Sequence, residues 1–128
     1  MKLAAVRVFV HELEPAQDFY QRTLGCKLKA GNAVVGYCVF DAGSADLVLE
    51  PVASDAPQDE QVLVGRFTGL SFVVTDVRAR HAELLAAGVP FRGAPEQQPW
   101  GGWLATLVDP AGNQLQLVQY PEYTKSPG

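Results

Sequence analysis

The chain has 128 residues, 48 % of them hydrophobic and 19 % charged, with a net charge of −4. That length and balance fit one globular domain with an ordinary core and exclude a disordered chain. The acidic net charge offers no basic face for a phosphate backbone, so nucleic-acid binding is excluded.

The apolar runs are all shorter than a membrane span, and Met1-Lys2-Leu3 opens straight into a strand-like stretch, so neither a membrane segment nor a leader is expected. Cys26 and Cys38 are the only cysteines and lack CxxC spacing. They read as small buried thiols of a reducing, cytoplasmic protein.

In chain order, Leu3–Val10 is a β-branched strand with Val6, Val8 and Val10 on one face and Ala5, Arg7 and Phe9 on the other. A helix follows over Pro15–Leu24, with Glu14 as cap, Ala16, Phe19, Tyr20 and Leu24 as its buried stripe, and Gly25 ending it. A short strand near Lys27–Ala30, a turn at Gly31-Asn32, and strands near Val34–Phe40 and Asp46–Glu50 come next. Pro51–Glu60 is polar and acidic and reads as a linker.

The order then restarts. Arg66–Val74 is a strand, Val77–Ala87 a helix stopped by Gly88, and Val89–Arg92 a short strand. A loop over Gly93–Gly102 precedes strands near Trp103–Val108 and Gln114–Gln119, which flank the turn Asp109-Pro110-Ala111-Gly112-Asn113. The acidic residues opening the two helical segments, Glu12 and Asp76, lie 64 positions apart, half the chain. This periodicity predicts two copies of one βαβββ module: module one 3–51, linker 52–64, module two 65–120 and a polar tail 121–128. The fold class expected is α+β, a curved mixed sheet around a cup with helices on the outer face.

The modules, the Phe19-Tyr20…Leu24-Gly25 and Ala86-Ala87-Gly88-Val89 helix ends, Pro99-Trp100-Gly101 and the Asp109–Asn113 turn together resemble the vicinal oxygen chelate superfamily. That group includes glyoxalase I, extradiol dioxygenases and bleomycin-resistance proteins. The resemblance spans about residues 3–120 and implies a cup with four metal-ligand slots, two per module. Counting seven residues back from Glu12 and Asp76 gives Ala5 and Gly69; counting four on from Gly43 and Gly112 gives Leu47 and Gln116. Three of these have no donor side chain, and one neutral amide does not hold an ion. His11 at a strand end and His81 on the second helix do not supply the missing donors, and Glu50 alone is one carboxylate. No metal and no cofactor are therefore expected.

The inner faces implied by the resemblance carry Arg7, Phe9, Leu47, Leu49, Ser71, Val73, Gln116 and Val118. Arg7 is an anchor for an anionic ligand group, an internal partner of a carboxylate such as Asp46 or Glu50, or an exposed residue at a dimer seam. Trp100, Trp103 and Tyr37 are stacking candidates or packing residues; the parity of Trp103–Val108 is unreadable because nearly every residue there is apolar. No catalytic residue is assigned, since neither a Ser-His-Asp nor a Cys-His arrangement nor a phosphate loop is visible. The function expected is metal-independent binding of an aromatic or anionic small molecule by a homodimer, with Arg7, Phe9, Tyr37, Leu47, Ser71, Trp100, Trp103 and Gln116 as ligand-binding residues. The alternatives are a metal-dependent lyase or dioxygenase with atypical ligands, a cofactor-free lyase or isomerase using Arg7 or Glu50, and an interaction module with an unused cavity.

Overall fold

The structure, a computed structural model, describes residues 1–122. The elements run β1 (Ala5–Val10), α1 (Leu13–Asp18) continuing into a π-helical turn (Phe19–Thr23), β2 (Lys27–Asn32), β3 (Tyr37–Asp41), β4 (Asp46–Pro51), α2 (Gln58–Gln61), β5 (Phe67–Val73), α3 (Val77–Ala86), β6 (Glu96–Gln97), β7 (Trp103–Val108) and β8 (Gln114–Gln119). They form two four-stranded sheets of order β1-β4-β3-β2 and β5-β8-β7-β6, the α+β architecture expected. The chain divides into two compact units, one of residues 1–68 with 109–113 and one of 69–108 with the chain from 114 onward. Among the described residues no helix is long and apolar enough to cross a membrane.

In the first unit β1 lies parallel to β4, with Val6 beside Leu47 and Val8 beside Leu49. β3 lies antiparallel to β4, with Phe40 beside Leu47 and Cys38 beside Leu49. Paired residues share a face of the sheet, so these side chains form one apolar layer. It is buried under Leu13, Ala16, Phe19 and Tyr20. The Phe19 and Tyr20 rings meet edge to face at 5.3 Å.

Leu47 and Leu49 thus belong to the helix-covered core, 1 % and 0 % exposed, and not to the open face with Arg7 and Phe9. The two turn glycines are not equivalent positions. Asp41 and Asp109 each stand five residues before the next strand begins, at Asp46 and Gln114, but Gly43 is one place nearer its aspartate than Gly112. A one-residue shift moves every strand side chain to the opposite face. The module-one position matching Gln116 is Val48.

The first helix starts at Leu13, two residues before the expected Pro15, and its cap is Glu12, which makes no side-chain capping bond. Pro15 then sits within the first turn, where its missing N–H has no intrahelical partner to lose. The widened turn after Asp18, closed by Leu24 N donating to Phe19 O at 2.9 Å, is not a sequence-level signal. The second helix matches its expected bounds to one residue: Asp76 caps it by accepting from Ala79 N at 3.1 Å. Gly25 (φ 79°) and Gly88 (φ 90°) end the two helices in the left-handed region.

Two strand boundaries differ from expectation. β2 runs on to Asn32, and the turn moves to residues 33–36 because the Asn32 carboxamide accepts from Val34 N and Val35 N. The strand expected at Val89–Arg92 is reduced to a single bridge, Phe91 to Leu107, and the loop after it contains β6. Pro90 lacks a ladder donor and Gly93 turns the chain at φ 130°, so pairing resumes only at Glu96. In the linker, Gln61 Nε2 donates to the carbonyls of Ala53, Ser54 and Ala56 around the short α2.

The turn Asp109–Asn113 is the polar centre of the first unit, with Asp109 4 % and Asn113 0 % exposed. Tyr20 Oη donates to Asp109 Oδ2 at 2.8 Å, and Asp109 Oδ1 accepts from Ala111 N and Asn113 N. Burial, and then the charge and hydrogen bond of Asp109, push the Tyr20 hydroxyl well above its usual value of 10.0. The unfolded chain therefore gives up this proton near pH 10 while the folded chain keeps it. Stability is unaffected below that pH and falls above it by about 1.4 kcal/mol per pH unit. Urea titrations between pH 9 and 11 should show this slope in the wild type and lack that component in Tyr20→Phe; equal slopes would remove Tyr20 as the cause.

Candidate ligand-binding site

The open face of the first sheet carries Arg7 and Phe9 from β1, Tyr37 and Val39 from β3, and Val48 and Glu50 from β4, the strand parity opposite to the core. Arg7 is held by a fork of two bonds to Glu50, Nε to Oε1 at 2.8 Å and Nη2 to Oε2 at 2.7 Å. The hydrogen bond and charge of Glu50 raise its pKa further above the usual arginine value. The guanidinium carbon also lies 5.2 Å from the centre of the Phe9 ring. Of the three readings of Arg7, the carboxylate pair is present, with Glu50 rather than Asp46, on a side chain that is 59 % exposed. Asp46 pairs with Lys29 at 3.0 Å.

Tyr37 is half exposed on this face. The module-one slots equivalent to metal ligands are Ala5 and Val48, neither with a donor. His11 lies outside the sheet face, donating Nδ1–H to Val52 O at 3.0 Å.

In the second unit, the β7–β8 register pairs Thr106 with Gln116 and Leu104 with Val118, so these side chains share a face. Gln116 Nε2 donates to Thr106 Oγ1 at 3.3 Å. They line a cavity of about 290 Å³ together with Arg92, Glu96, Gln98 and Leu104. Ser71 and Val73 occupy the exposed parity of β5. The module-two slots are Gly69, which has no side chain, and Gln116. Among the described residues no group of three or more His, Cys, Asp or Glu side chains is placed to hold a metal ion.

The two tryptophans separate. Trp103 pairs with Gln119, on the face opposite Thr106 and Gln116. The Gln119 carboxamide accepts from Val77 N at the start of α3, and the Arg78 guanidinium lies 4.2 Å from the Trp103 ring centre. Trp103 is therefore part of the helix-side packing and is not a ligand-stacking residue on the open face. Trp100 is 49 % exposed, tilted against Tyr120 at 6.1 Å. Its ring rests on Gly102, where a Cβ would overlap it. His81 meets Phe91 edge to face, with ring centres 4.4 Å apart, a packing role.

Of the residues expected at the site, Arg7, Phe9 and Tyr37 share the open face of sheet one. Gln116 lines the cavity on sheet two, Ser71 lies on the exposed side of β5, and Trp100 stands in the loop before β7. Leu47 and Trp103 fall on helix-side faces. Sequence reasoning missed Thr106, Arg92 and Glu96. Thr106 was within reach, because a hairpin closed by the 109–113 turn sets residue 106 opposite 116.

Cys26 and Cys38 are free thiols whose pKa values burial pushes up, which makes them poor nucleophiles. In the first unit Phe9 and Tyr37 offer aromatic surface; in the second, Trp100 offers it and Thr106, Gln116 and Gln98 offer hydrogen bonds.

Comparison with known proteins bears on the family and the fold. A bleomycin resistance protein of Klebsiella pneumoniae is 53 % identical over 34 residues, 27 % of each chain, so this chain spans only about a quarter of that protein's length in the match. A glyoxalase/bleomycin resistance/dioxygenase superfamily structure from Sphaerobacter thermophilus is similar at 27 % identity and a TM-score of 0.77, covering 93 % of this chain and 97 % of the other. TnmS3, an antibiotic-binding protein from Streptomyces sp. CB03234, is 31 % identical with a TM-score of 0.73, covering 94 % of this chain and 96 % of its own. The family model described as Glyoxalase/Bleomycin resistance protein/Dioxygenase superfamily matches residues 2–117, and the chain belongs to that superfamily.

Proposed function

We propose that this protein binds an aromatic small molecule without a metal ion and performs no reaction on it. The observation that carries the reading is the composition of the ligand-slot positions: Ala5 and Val48 on one sheet, Gly69 and Gln116 on the other. A divalent ion requires three or more nitrogen, oxygen or sulfur donors converging at about 2.0–2.5 Å. A lone carboxamide that already donates to Thr106 does not fit that demand. Each unit carries an exposed aromatic side chain instead, Tyr37 in the first and Trp100 in the second, and either supplies stacking surface. The likeness to an antibiotic-binding protein at 31 % identity supports a sequestering role over catalysis.

The same reading takes the working form to be a homodimer, the commonest closed assembly for a chain of this kind. One experiment tests these points together. Protein purified without chelator and weighed by light scattering is titrated with planar aromatic antibiotics while tryptophan emission is followed, and its metal content is measured. The expected result is a metal-free dimer whose emission is quenched, with affinity reduced by roughly ten-fold in Trp100→Ala. Stoichiometric bound zinc, nickel, manganese or iron sinks the metal-free reading, and emission unmoved by every compound sinks the binding reading.

A further inference from the structure

The cavity on the open face of β7 and β8 has a charge pattern that the aromatic reading leaves unused. Arg92 and Glu96 both line it, and neither side chain has a hydrogen-bond or ion-pair partner among the described residues. Their backbones are fixed all the same. Arg92 N donates to Thr106 O at 2.8 Å, and Glu96 is paired with Leu104 in the β6–β7 ladder. Glu96 thereby shares the face of Leu104, Thr106 and Gln116. The strands thus hold one cation and one anion at a cavity whose remaining polar wall, Gln98, Thr106 and Gln116, is neutral.

This differs from the other open face. There Arg7 is neutralised by two bonds to Glu50, and Lys29 by Asp46, so neither cation is available without breaking a pair. An unpaired arginine presents a planar fork matched to a carboxylate, and an unpaired glutamate accepts from an ammonium. A simple anion would gain from Arg92 but meet repulsion from Glu96, and a simple cation the reverse. A group carrying both charges gains from both.

We propose that this cavity recognises an amino-acid-like zwitterionic group, with Arg92 receiving the carboxylate and Glu96 the protonated amine. The proposal rests on the small-molecule-binding reading and names the ligand class for it. Gln116 and Thr106 border the two charges and offer further hydrogen bonds.

Phenylalanine, N-acetylphenylalanine and phenylalanine amide serve as probes, because they share the aromatic ring and carry, respectively, both charges, only the carboxylate and only the amine. Binding is followed by calorimetry on the full chain, with Arg92→Ala, Glu96→Gln and Arg7→Ala as variants. Both cavity residues are exposed, so the variants should fold, which circular dichroism verifies. The expected result is that phenylalanine binds at least roughly ten-fold more tightly than either singly charged probe. Arg92→Ala should abolish the preference over the amide, Glu96→Gln the preference over the N-acetyl compound, and Arg7→Ala neither.

Equal affinity for the three probes overturns the proposal, as does a preference untouched by Arg92→Ala and Glu96→Gln. Failure of all three probes overturns it as well. In each case aromatic antibiotics that still quench tryptophan emission leave the parent reading standing, whereas loss of that quenching removes the parent reading itself.

Discussion

Asn113→Ala should destabilise the protein by about 3–5 kcal/mol, enough to unfold a large share of it at physiological temperature. The side chain is fully buried. Its Oδ1 accepts from Gly65 N at 2.9 Å and Arg66 N at 3.3 Å, and its Nδ2 donates to Phe9 O at 2.8 Å and Asp109 Oδ2 at 3.1 Å. Truncation removes all four bonds and leaves backbone groups of two strand approaches without that partner. The penalty is dominated by stranded polar groups, since each unsatisfied buried group costs about 1–3 kcal/mol.

Asn113→Asp separates this account from a simple cavity effect. It preserves the volume but puts a second carboxylate beside Asp109 and loses the donor to Phe9 O. It should also be strongly destabilised at neutral pH. Urea denaturation of both variants is the measurement; a loss under about 1 kcal/mol in Asn113→Ala would show that water replaces the side chain at little cost.

This residue marks the boundary of what the sequence made legible. Asp109-Pro110-Ala111-Gly112-Asn113 read correctly as a turn, because turn chemistry is local. Its second role is not local: Asn113 and Phe9 are 104 positions apart, and no periodicity encodes such a contact. The same division holds elsewhere. β7 and β8 emerged with their bounds intact because a turn rich in Asp, Gly and Asn punctuates them. The Gly25 and Gly88 helix ends emerged for the same reason.

The π-helical turn at Phe19–Thr23 did not, since no local residue pattern marks where an α-helix widens by one residue. At the site, Arg7 was visible as a charge among apolar neighbours, but its choice of Glu50 over Asp46 is made diagonally across β1 and β4, a contact that no local pattern encodes. Trp103 lies in a strand apolar at nearly every position, where alternation carries no information on facing.

Leu47→Ala should cost about 2–5 kcal/mol and lower the Tm by roughly 10 °C, while leaving the affinity of the folded protein for an aromatic ligand unchanged. Leu47 is 1 % exposed, and its strand partners on the same face are Val6 and Phe40. The deleted methyl groups leave a cavity whose walls are two β-strands and a helix, which collapse poorly. Val48→Ala is the matched control. Val48 is its half-buried neighbour on the open face, in the slot equivalent to Gln116, and its truncation should cost about 1 kcal/mol or less.

If a ligand rests on this face, Val48→Ala is the variant that alters its affinity. Thermal melts of both proteins, with binding measured well below their transitions, give the answer. The opposite pattern, a stable Leu47→Ala with lost binding, would mean that the residue lines the ligand and that the strand parity is reversed. Every open-face assignment on the first sheet, Arg7 and Phe9 included, would then move to the core. The two metal-slot identities of the first sheet would change with it, because Val48 would give way to Leu47 and Ala5 to its neighbours.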